Sequence, residues 1–250
     1  MTSPSPDRVS LQLAAQHGEE ELLRAHVRQL AEVWAAALGP EVSVRATVRR
    51  PVTDLAETHF RELLPNLRPF DATLDAWGPA RLKIAATVGA LVEGLAEPVI
   101  DERRSRILVG RQMDVKEGDG PFVVTFLQNP REDFSREQFL TRLRERHVTI
   151  ALPDDPDGRP VANRLAGFRF TTVDGERSAL AAEATGLAAA PFHALSEPHY
   201  DDVAHFRSVT CDPAVRTAVT ADELEFLDHE RSAATTSETI FVVRAEPAAA

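Results

Sequence analysis

The residue types that could perform acid/base chemistry are concentrated in the second half of the chain, and His147 is the first of them. It follows Leu140 and Leu143 at helical spacing, so we expect it beside the core-facing stripe of a helix, near the helix C-terminus. A helix C-terminus favours the imidazolium and burial disfavours it, which suits a proton-transfer group that titrates near neutral pH. The alternative interpretation is a histidine that caps the last helical carbonyls and packs.

Four more candidate residues lie on or near a predicted strand that starts at about residue 192. They are His193, Glu197, His199 and Tyr200. The first three share one parity and hence one face of a regular strand, and Tyr200 lies on the opposite face. We expect His193 and Tyr200 to assist His147 in catalysis, and Glu197 and His199 to contact a substrate. Pro198 indicates that the strand ends there, and the alternative is a set of exposed edge-strand residues.

Two histidines and a glutamate also invite comparison with the facial triad that binds non-haem iron. On an extended strand, however, ligands at positions i, i+4 and i+6 spread over roughly 20 Å, which is too far for one ion. The sequence contains no glycine-rich phosphate loop, nucleophile elbow or paired metal motif. We therefore expect no metal at these residues, and the sequence shows no known local motif for a cofactor.

Arg45 and Arg169 occupy matching positions on two predicted strands, each opposite an apolar strand face. If the apolar faces meet helices, both arginines point into the interior, where they would stabilise a carboxylate, enolate or phenolate. The alternative is a pair of arginines on a solvated sheet edge. Asp71 and Asp75 alternate on a neighbouring strand and could pair with these arginines, or form salt bridges elsewhere.

The elements that must position these residues occur twice in the order βαββαβ. In the first half, period-2 alternation predicts strands around residues 9–13, 42–48, 70–77 and 106–113, with helices around 23–38 and 80–95 and a short insertion at 53–64. In the second half, strands are predicted at 122–127, 167–173, 192–197 and 239–244, and helices at 135–149, 201–208 and 221–227. Segments 151–164 and 174–190 are the predicted loops over a site. The predicted units are residues 1–117 and 118–250.

A βαββαβ unit forms a four-stranded antiparallel sheet with its helices on one face, which leaves the other face bare. Two such ferredoxin-like units can cover their bare faces by packing sheet to sheet as a pseudo-dimeric α/β barrel. We therefore predict the α+β class and a small-molecule site in the barrel lumen.

The second half resembles the EthD family of the dimeric α/β-barrel superfamily. Phe139, Leu143 and His147 match its F-x-x-x-W/L-x-x-x-H pattern, and the strand at Pro191-Phe192 and the segment 228–232 with its following strand also suit the family. The first half is similar to a degenerate copy in which Leu30 aligns with the histidine. The resemblance implies a small cofactor-free protein of a catabolic or natural-product pathway. The activities it implies are lactone isomerisation, cyclisation, decarboxylation and oxygenation of electron-rich aromatics.

The composition of the chain limits the classes of binding partner. A net charge of −11 makes nucleic acid and anionic membrane surfaces unfavourable partners. The longest apolar run, residues 84–100, is interrupted by Glu93 and Glu97, so we expect no membrane span. Cys211 is the only cysteine, which excludes an internal disulfide and fits a reducing cytoplasm. The expected partners are a small-molecule substrate and, for the pseudo-dimeric chain, a second copy in a homodimer.

These observations predict a cofactor-independent enzyme that acts on a small aromatic or polyketide-like carbonyl compound by proton transfer. The outcome would be isomerisation, cyclisation or C–C cleavage. Two alternatives stay open: a cofactor-free monooxygenase of an electron-rich aromatic, and a non-catalytic protein that only holds a small ligand.

Overall fold

The computed structural model describes residues 6–50, 66–67, 70–79, 84–85, 87, 99–152 and 157–245. Its strands are β1 (Asp7–Leu13), β2 (Ser43–Arg49), β3 (Asn66–Leu67), β4 (Ala72–Gly78), β5 (Arg106–Lys116), β6 (Phe122–Gln128), β7 (Gly167–Val173), β8 (Ala188–Ala189), β9 (Ala194–Tyr200) and β10 (Ala233–Val243). Its helices are α1 (Glu20–Leu38), α2 (Arg136–Glu145), α3 (Gly175–Thr185), α4 (Val203–Thr210) and α5 (Pro213–Phe226), with 3-10 turns at His147–Thr149 and Val161–Arg164. None of these helices is long and apolar enough to cross a membrane.

Eight strands close into an antiparallel barrel. The order around it is β1-β4-β2-β10-β6-β9-β7-β5, and pairing of β5 with β1 completes the circle. Each repeat supplies four neighbouring strands, and the repeats join at their edges through the pairs β2–β10 and β5–β7. The predicted α+β barrel of two ferredoxin-like repeats is therefore confirmed.

The barrel interior is filled with side chains, because the inward residues of all eight strands meet there. One end is closed by an apolar cluster that includes Leu108, Leu127 and Leu195. Polar side chains occupy the middle, as in the 2.7 Å hydrogen bond between the hydroxyls of Thr47 and Thr73. Side chains on both faces of the strands are buried, and a ligand-binding lumen between the two repeats stays a prediction.

The outer face of the first repeat is covered by α1. Leu23, Val27, Leu30 and Trp34 are buried on one side of this helix, as their spacing predicted, against the outward strand residues of β1, β2 and β4. Leu30, which aligns with His147, is therefore a core residue.

The segment at residues 174–190, predicted as a loop, contains α3. Asp174 caps its N-terminus by accepting a hydrogen bond from the backbone N–H of Arg177, and Gly186 ends it in the left-handed region with φ 72°. The alanines between them favour a helix more than the flanking glycines disfavour it. Ser178 then fixes α3 to β5, where its hydroxyl accepts a hydrogen bond from the N–H of Val109.

Two further boundaries differ from the prediction. Strand β9 continues through Pro198 to Tyr200, because the pairs on either side, Arg169 with Glu197 and Gly167 with His199, are kept. Helix α2 ends at Glu145, so His147 begins a 3-10 turn instead of lying within the helix. The predicted insertion at 53–64 and most of the predicted helix at 80–95 lie outside the described residues.

Candidate functional site

A cavity lies between the outer face of the second repeat's sheet and the helices that cover it. The sheet contributes alternate residues of β9, since Ser196, Pro198 and Tyr200 point outwards. The covering side consists of the two 3-10 turns, the end of α4 and one face of α5. The lining residues are Phe126, Gln128, His147, Val148, Ile150, Val161, Ala162, Leu165, Phe168, Ser196, Pro198, Tyr200, Val209, Thr210, Val215, Arg216, Val219, Thr220 and Glu223.

The size and lining of the cavity fit a small, mostly apolar ligand. Its volume is about 140 Å³, and a dry protein cavity of roughly 150 Å³ accommodates benzene. Aliphatic and aromatic side chains dominate its walls, and the ionisable groups among them are few: His147, Tyr200, Arg216 and Glu223. A pocket with apolar walls and a few polar groups is typical of small-molecule sites.

The position of His147 depends on the helix before it. Ser135 and Gln138 form a capping box that fixes the start of α2, and Phe139 and Leu143 anchor its buried face. The turn after α2 then places the His147 ring against Phe226, with ring centroids 5.6 Å apart. The side chain is 10% exposed and lines the cavity.

A carboxylate of α5 holds the imidazole. Nδ1 of His147 lies 3.0 Å from Oδ2 of Asp222, and Arg142 donates a 2.6 Å hydrogen bond to the other carboxylate oxygen. Burial would raise the pKa of Asp222, but the hydrogen bonds from His147 and Arg142 lower it below its usual range. Because an ionised carboxylate only accepts, Nδ1 carries the proton and Nε2 is left as the basic atom.

Glu223, the next residue of α5, meets the other side of the same imidazole. Its Oε1 lies 4.0 Å from Nε2 of His147, and its Oε2 lies 3.8 Å from Nε2 of His229. Burial raises the pKa of Glu223; His147 opposes this shift and Asp222 adds to it. Two adjacent carboxyl groups whose pKa values move in opposite directions are the usual arrangement for separate base-orienting and acid roles.

Tyr200 lies on the sheet side of the cavity. Its ring packs edge-on against Phe206, with centroids 5.2 Å apart, and against His205. Burial raises the pKa of its hydroxyl, which therefore stays protonated and able to donate a hydrogen bond. Of the three predicted catalytic residues, His147 and Tyr200 thus line one cavity.

His193 does not reach the cavity. It lies in the turn before β9, its Nδ1 is 2.9 Å from the amide oxygen of Asn129, and its ring meets the edge of Phe139. Burial lowers its pKa, and Arg136 and Arg231 lower it further. The strand begins at residue 194 instead of 192, so the alternation of strand faces does not extend to His193.

The four residues predicted to bind substrate point into the barrel, as was predicted for the two arginines. They are Arg45, Arg169, Glu197 and His199. Glu197 accepts a 2.6 Å hydrogen bond from Arg45 and is paired with Arg8, while Asp75 accepts hydrogen bonds from the same two arginines at 2.7 and 2.8 Å. The predicted pairing of Asp75 with Arg45 is therefore present, whereas Asp71 pairs with Arg49.

This buried cluster crosses the boundary between the repeats, because Arg8, Arg45 and Asp75 come from the first and Glu197 and His199 from the second. Burial would raise the pKa of Glu197, but Arg45 and Arg8 together lower it far below its usual range. The charges of the cluster are already paired with one another within the barrel, which leaves them unsuited to binding a ligand.

His199 is the neutral member of the cluster. Burial, with Arg45 and Arg169 nearby, lowers its pKa to about 3. Its Nε2 accepts from Arg45 at 3.3 Å and from Arg169 at 3.4 Å, and its Nδ1 faces the carbonyl of Gly120 at 3.3 Å. The two guanidiniums also lie over the ring of Trp77, 5.7 and 5.2 Å from its centroid.

Asp222 and Glu223 were not among the predicted site residues. A helix was predicted only from residue 221, whereas α5 begins at Pro213 after the cap Asp212. The Asp212-Pro213 pair is a recognisable helix start, and extending the helix from it would have placed Arg216, Val219 and Glu223 on one face.

The fold and the cavity define a tandem ferredoxin-like α/β-barrel protein with a pocket beneath the helices of its second repeat. Residues 131–230 match the family described as EthD domain, which confirms the resemblance for the part of the chain that carries His147, Asp222 and Glu223. No protein with a curated functional description matches the chain.

Solved structures share the whole architecture at low sequence identity. A protein of Fusobacterium nucleatum, provisionally named a monooxygenase, superposes with a TM-score of 0.55 at 8% identity, with 97% of this chain and 96% of that chain covered. An anthrone oxidase-like protein gives 0.55 at 10% identity, covering 99% and 96%. A provisionally named monooxygenase of Lactobacillus acidophilus gives 0.54 at 10% identity, covering 96% of each chain. At such identities the likeness establishes the fold alone.

Proposed function

We propose that this chain is an enzyme that catalyses proton transfer on a small carbonyl compound bound in the cavity of the second repeat. The observation that carries the proposal is His147, which is held by Asp222 through Nδ1 and has Nε2 beside Glu223 at an apolar cavity. An oriented imidazole next to a carboxyl group whose pKa is raised by burial is suited to general acid/base catalysis.

In the proposed reaction, Nε2 of His147 removes a proton from the carbon next to the carbonyl group. The C–H electron pair moves into the new C=C bond, and the carbonyl oxygen gains the negative charge of an enolate. The hydroxyl of Tyr200, or that of Glu223 when its carboxyl group is protonated, donates a hydrogen bond to that oxygen. Return of the proton to another carbon completes an isomerisation without any change in oxidation state. Attack of the enolate on a second carbonyl group would instead close a ring.

A cofactor-free monooxygenase is the second candidate, and the provisional names of the structural neighbours favour it. The same base would generate the same carbanion, which would then react with dioxygen. A CH₂ group becomes C=O, one oxygen atom is retained, and the other leaves as water with the two hydrogens. Both candidates share the first proton transfer, so one experiment tests that step for both.

The experiment is solvent deuterium exchange, followed by NMR, with phenylacetone, 2-tetralone and anthrone in D₂O under nitrogen and in air. We expect exchange at the carbon next to the carbonyl group, fastest for the one-ring ketone because of the cavity volume. His147→Ala should slow it by about 10²–10⁴-fold, and Glu223→Gln should also slow it. Oxygen uptake in air would identify the monooxygenase.

His193→Ala is the matched control, because this histidine lies outside the cavity. It should leave the exchange rate unchanged. Full exchange in the His147→Ala variant would remove this residue from the mechanism. Binding of the ketones to the wild type without any exchange would favour a ligand-holding protein instead.

A further inference from the structure

Helix α5 presents one continuous stripe to the cavity. Arg216, Val219, Thr220 and Glu223 line it at spacings of three, four and seven residues, which places them on one helix face. The stripe therefore has a cation at one end, two small side chains in the middle, and the acid/base pair of Glu223 and His147 at the other end.

Arg216 differs from the other arginines around this site. Arg142 is paired with Asp222 at 2.6 Å, and Arg164 is paired with Asp212 at 2.8 Å. Among the residues that the structure describes, no carboxylate pairs with Arg216, although the chain as a whole carries a net charge of −11. The residue is exposed, so its guanidinium is available to a ligand at the solvent side of the cavity.

We infer that Arg216 binds a carboxylate of the substrate. Together with the cavity volume, this makes the substrate a one-ring carbonyl compound that carries a carboxylate. The inference rests on the proposed function for the position of the reacting carbonyl group. Seven residues of helix separate Arg216 from Glu223, or roughly 10 Å along the axis. A carboxylate and a carbonyl on opposite sides of one aromatic ring, with a hydrogen bond at each end, span a distance of this order.

The contact with Arg216 sets the orientation of the substrate in the cavity as well as its affinity. The planar guanidinium suits bidentate contact with a carboxylate. A substrate held by its carboxylate at Arg216 has its apolar ring against Val219 and the opposite apolar wall, and its carbonyl group directed towards His147. The reversed orientation would put the carboxylate beside the carboxyl group of Glu223 and would lose the charge-assisted contact with Arg216.

The test is a binding measurement on the full chain with two isosteric probes, 4-acetylbenzoate and the neutral 4-acetylbenzamide. Isothermal titration calorimetry should show that the wild type prefers the carboxylate by about tenfold, as expected for a charge-assisted contact. Arg216→Gln should abolish the preference, because it should lower the affinity for the carboxylate more than the affinity for the neutral probe. Arg216→Lys should restore part of it, and higher ionic strength should weaken it because the contact is exposed.

Arg104→Gln is the matched control, since it removes the same charge from an exposed arginine in the turn after Asp101. It should keep the preference. Preference retained in Arg216→Gln, lost in Arg104→Gln, or missing in the wild type would overturn the inference. A carboxylate preference that depends on Arg216, without deuterium exchange of either probe, would leave this inference standing and contradict the proposed function. Deuterium exchange without the carboxylate preference would contradict this inference and leave the proposed function standing.

Discussion

Nδ1 of His147 lies 3.0 Å from Oδ2 of Asp222, a residue 75 positions further along the chain. The contact connects the turn after α2 with the middle of α5, so the imidazole is fixed by two elements at once. It also fixes the tautomer, because the ionised carboxylate can only accept a hydrogen bond. Nε2 is therefore the atom that faces Glu223 and the cavity.

Asp222→Asn should impair catalysis more than binding. The amide NH₂ can donate to Nδ1, which reverses the tautomer and puts the proton on Nε2, where it blocks the base. We expect the deuterium exchange rate with phenylacetone to fall by about 10²–10⁴-fold, as for other oriented histidine bases, while calorimetric affinity for the ketone stays within twofold. The two measurements together distinguish a positioning role from a purely structural one.

The control for this variant must account for Arg142, which shares the carboxylate with His147. Arg142→Gln keeps the Asp222 oxygen that contacts Nδ1, so its exchange rate should stay near that of the wild type. An Asp222→Asn protein that exchanges at the wild-type rate would show that tautomer control by this residue plays no part.

Glu197→Gln should destabilise the protein severely. Glu197 is 1% exposed and binds both Arg8 and Arg45, so the amide would leave two buried guanidiniums with one carboxylate, Asp75. Removal of one partner from a buried ion pair costs about 3–5 kcal/mol in the free energy of unfolding. Urea denaturation followed by circular dichroism measures this loss.

Glu238→Gln is the surface counterpart, because Glu238 pairs with Arg24 and Arg50 at the edge of the barrel. Exposed pairs contribute about 0–1 kcal/mol, so this variant should unfold almost like the wild type. Equal losses in the two variants would mean that the interior cluster contributes no more to stability than the surface ion pairs do.

His199 should make the protein less stable in weak acid. Its pKa is about 3 in the folded protein, against about 6.5 in the unfolded chain. The unfolded state therefore binds the proton first. The stability contributed by neutral His199 is fully present above about pH 6.5 and is lost as the pH falls towards 3, by about 1.4 kcal/mol per pH unit.

The measurement is the free energy of unfolding from urea titrations at pH 7.0, 5.5 and 4.5 for the wild type and His199→Gln. The variant should start less stable at pH 7 and lose less on acidification. His17→Gln, a change at an exposed histidine, should follow the wild-type slope. An unchanged slope in His199→Gln would show that another group controls the acid sensitivity.

Much of the barrel was predictable from the sequence because it depends on local periodicity. The alternation of Val9, Leu11 and Leu13 predicts a strand in any context that buries one face, and β1 spans them. The spacing of Leu23, Val27 and Trp34 predicts a helix for the same reason. Element order then limits the fold to a few arrangements, of which two joined ferredoxin-like repeats satisfy every sheet edge.

The site was predictable only in part. His147 could be found because its spacing from Phe139 and Leu143 is local and characteristic, and Tyr200 because its parity differs from that of Glu197 and His199. Parity alone, however, does not say which face of a strand meets the helices. The structure placed the charged face inside the barrel and the Tyr200 face on the cavity.

The sequence by itself therefore determined the barrel strands, helix α1, the duplication and the histidine that stands at this helix position only in the second copy. Tertiary structure alone decided which charged side chains form ion pairs in the core and which line the cavity. The physical reason is that local spacing sets where each side chain points, whereas a site is made by contacts between distant segments. Asp222 and Glu223 meet His147 from 75 and 76 residues away, and no periodicity within either segment encodes that meeting.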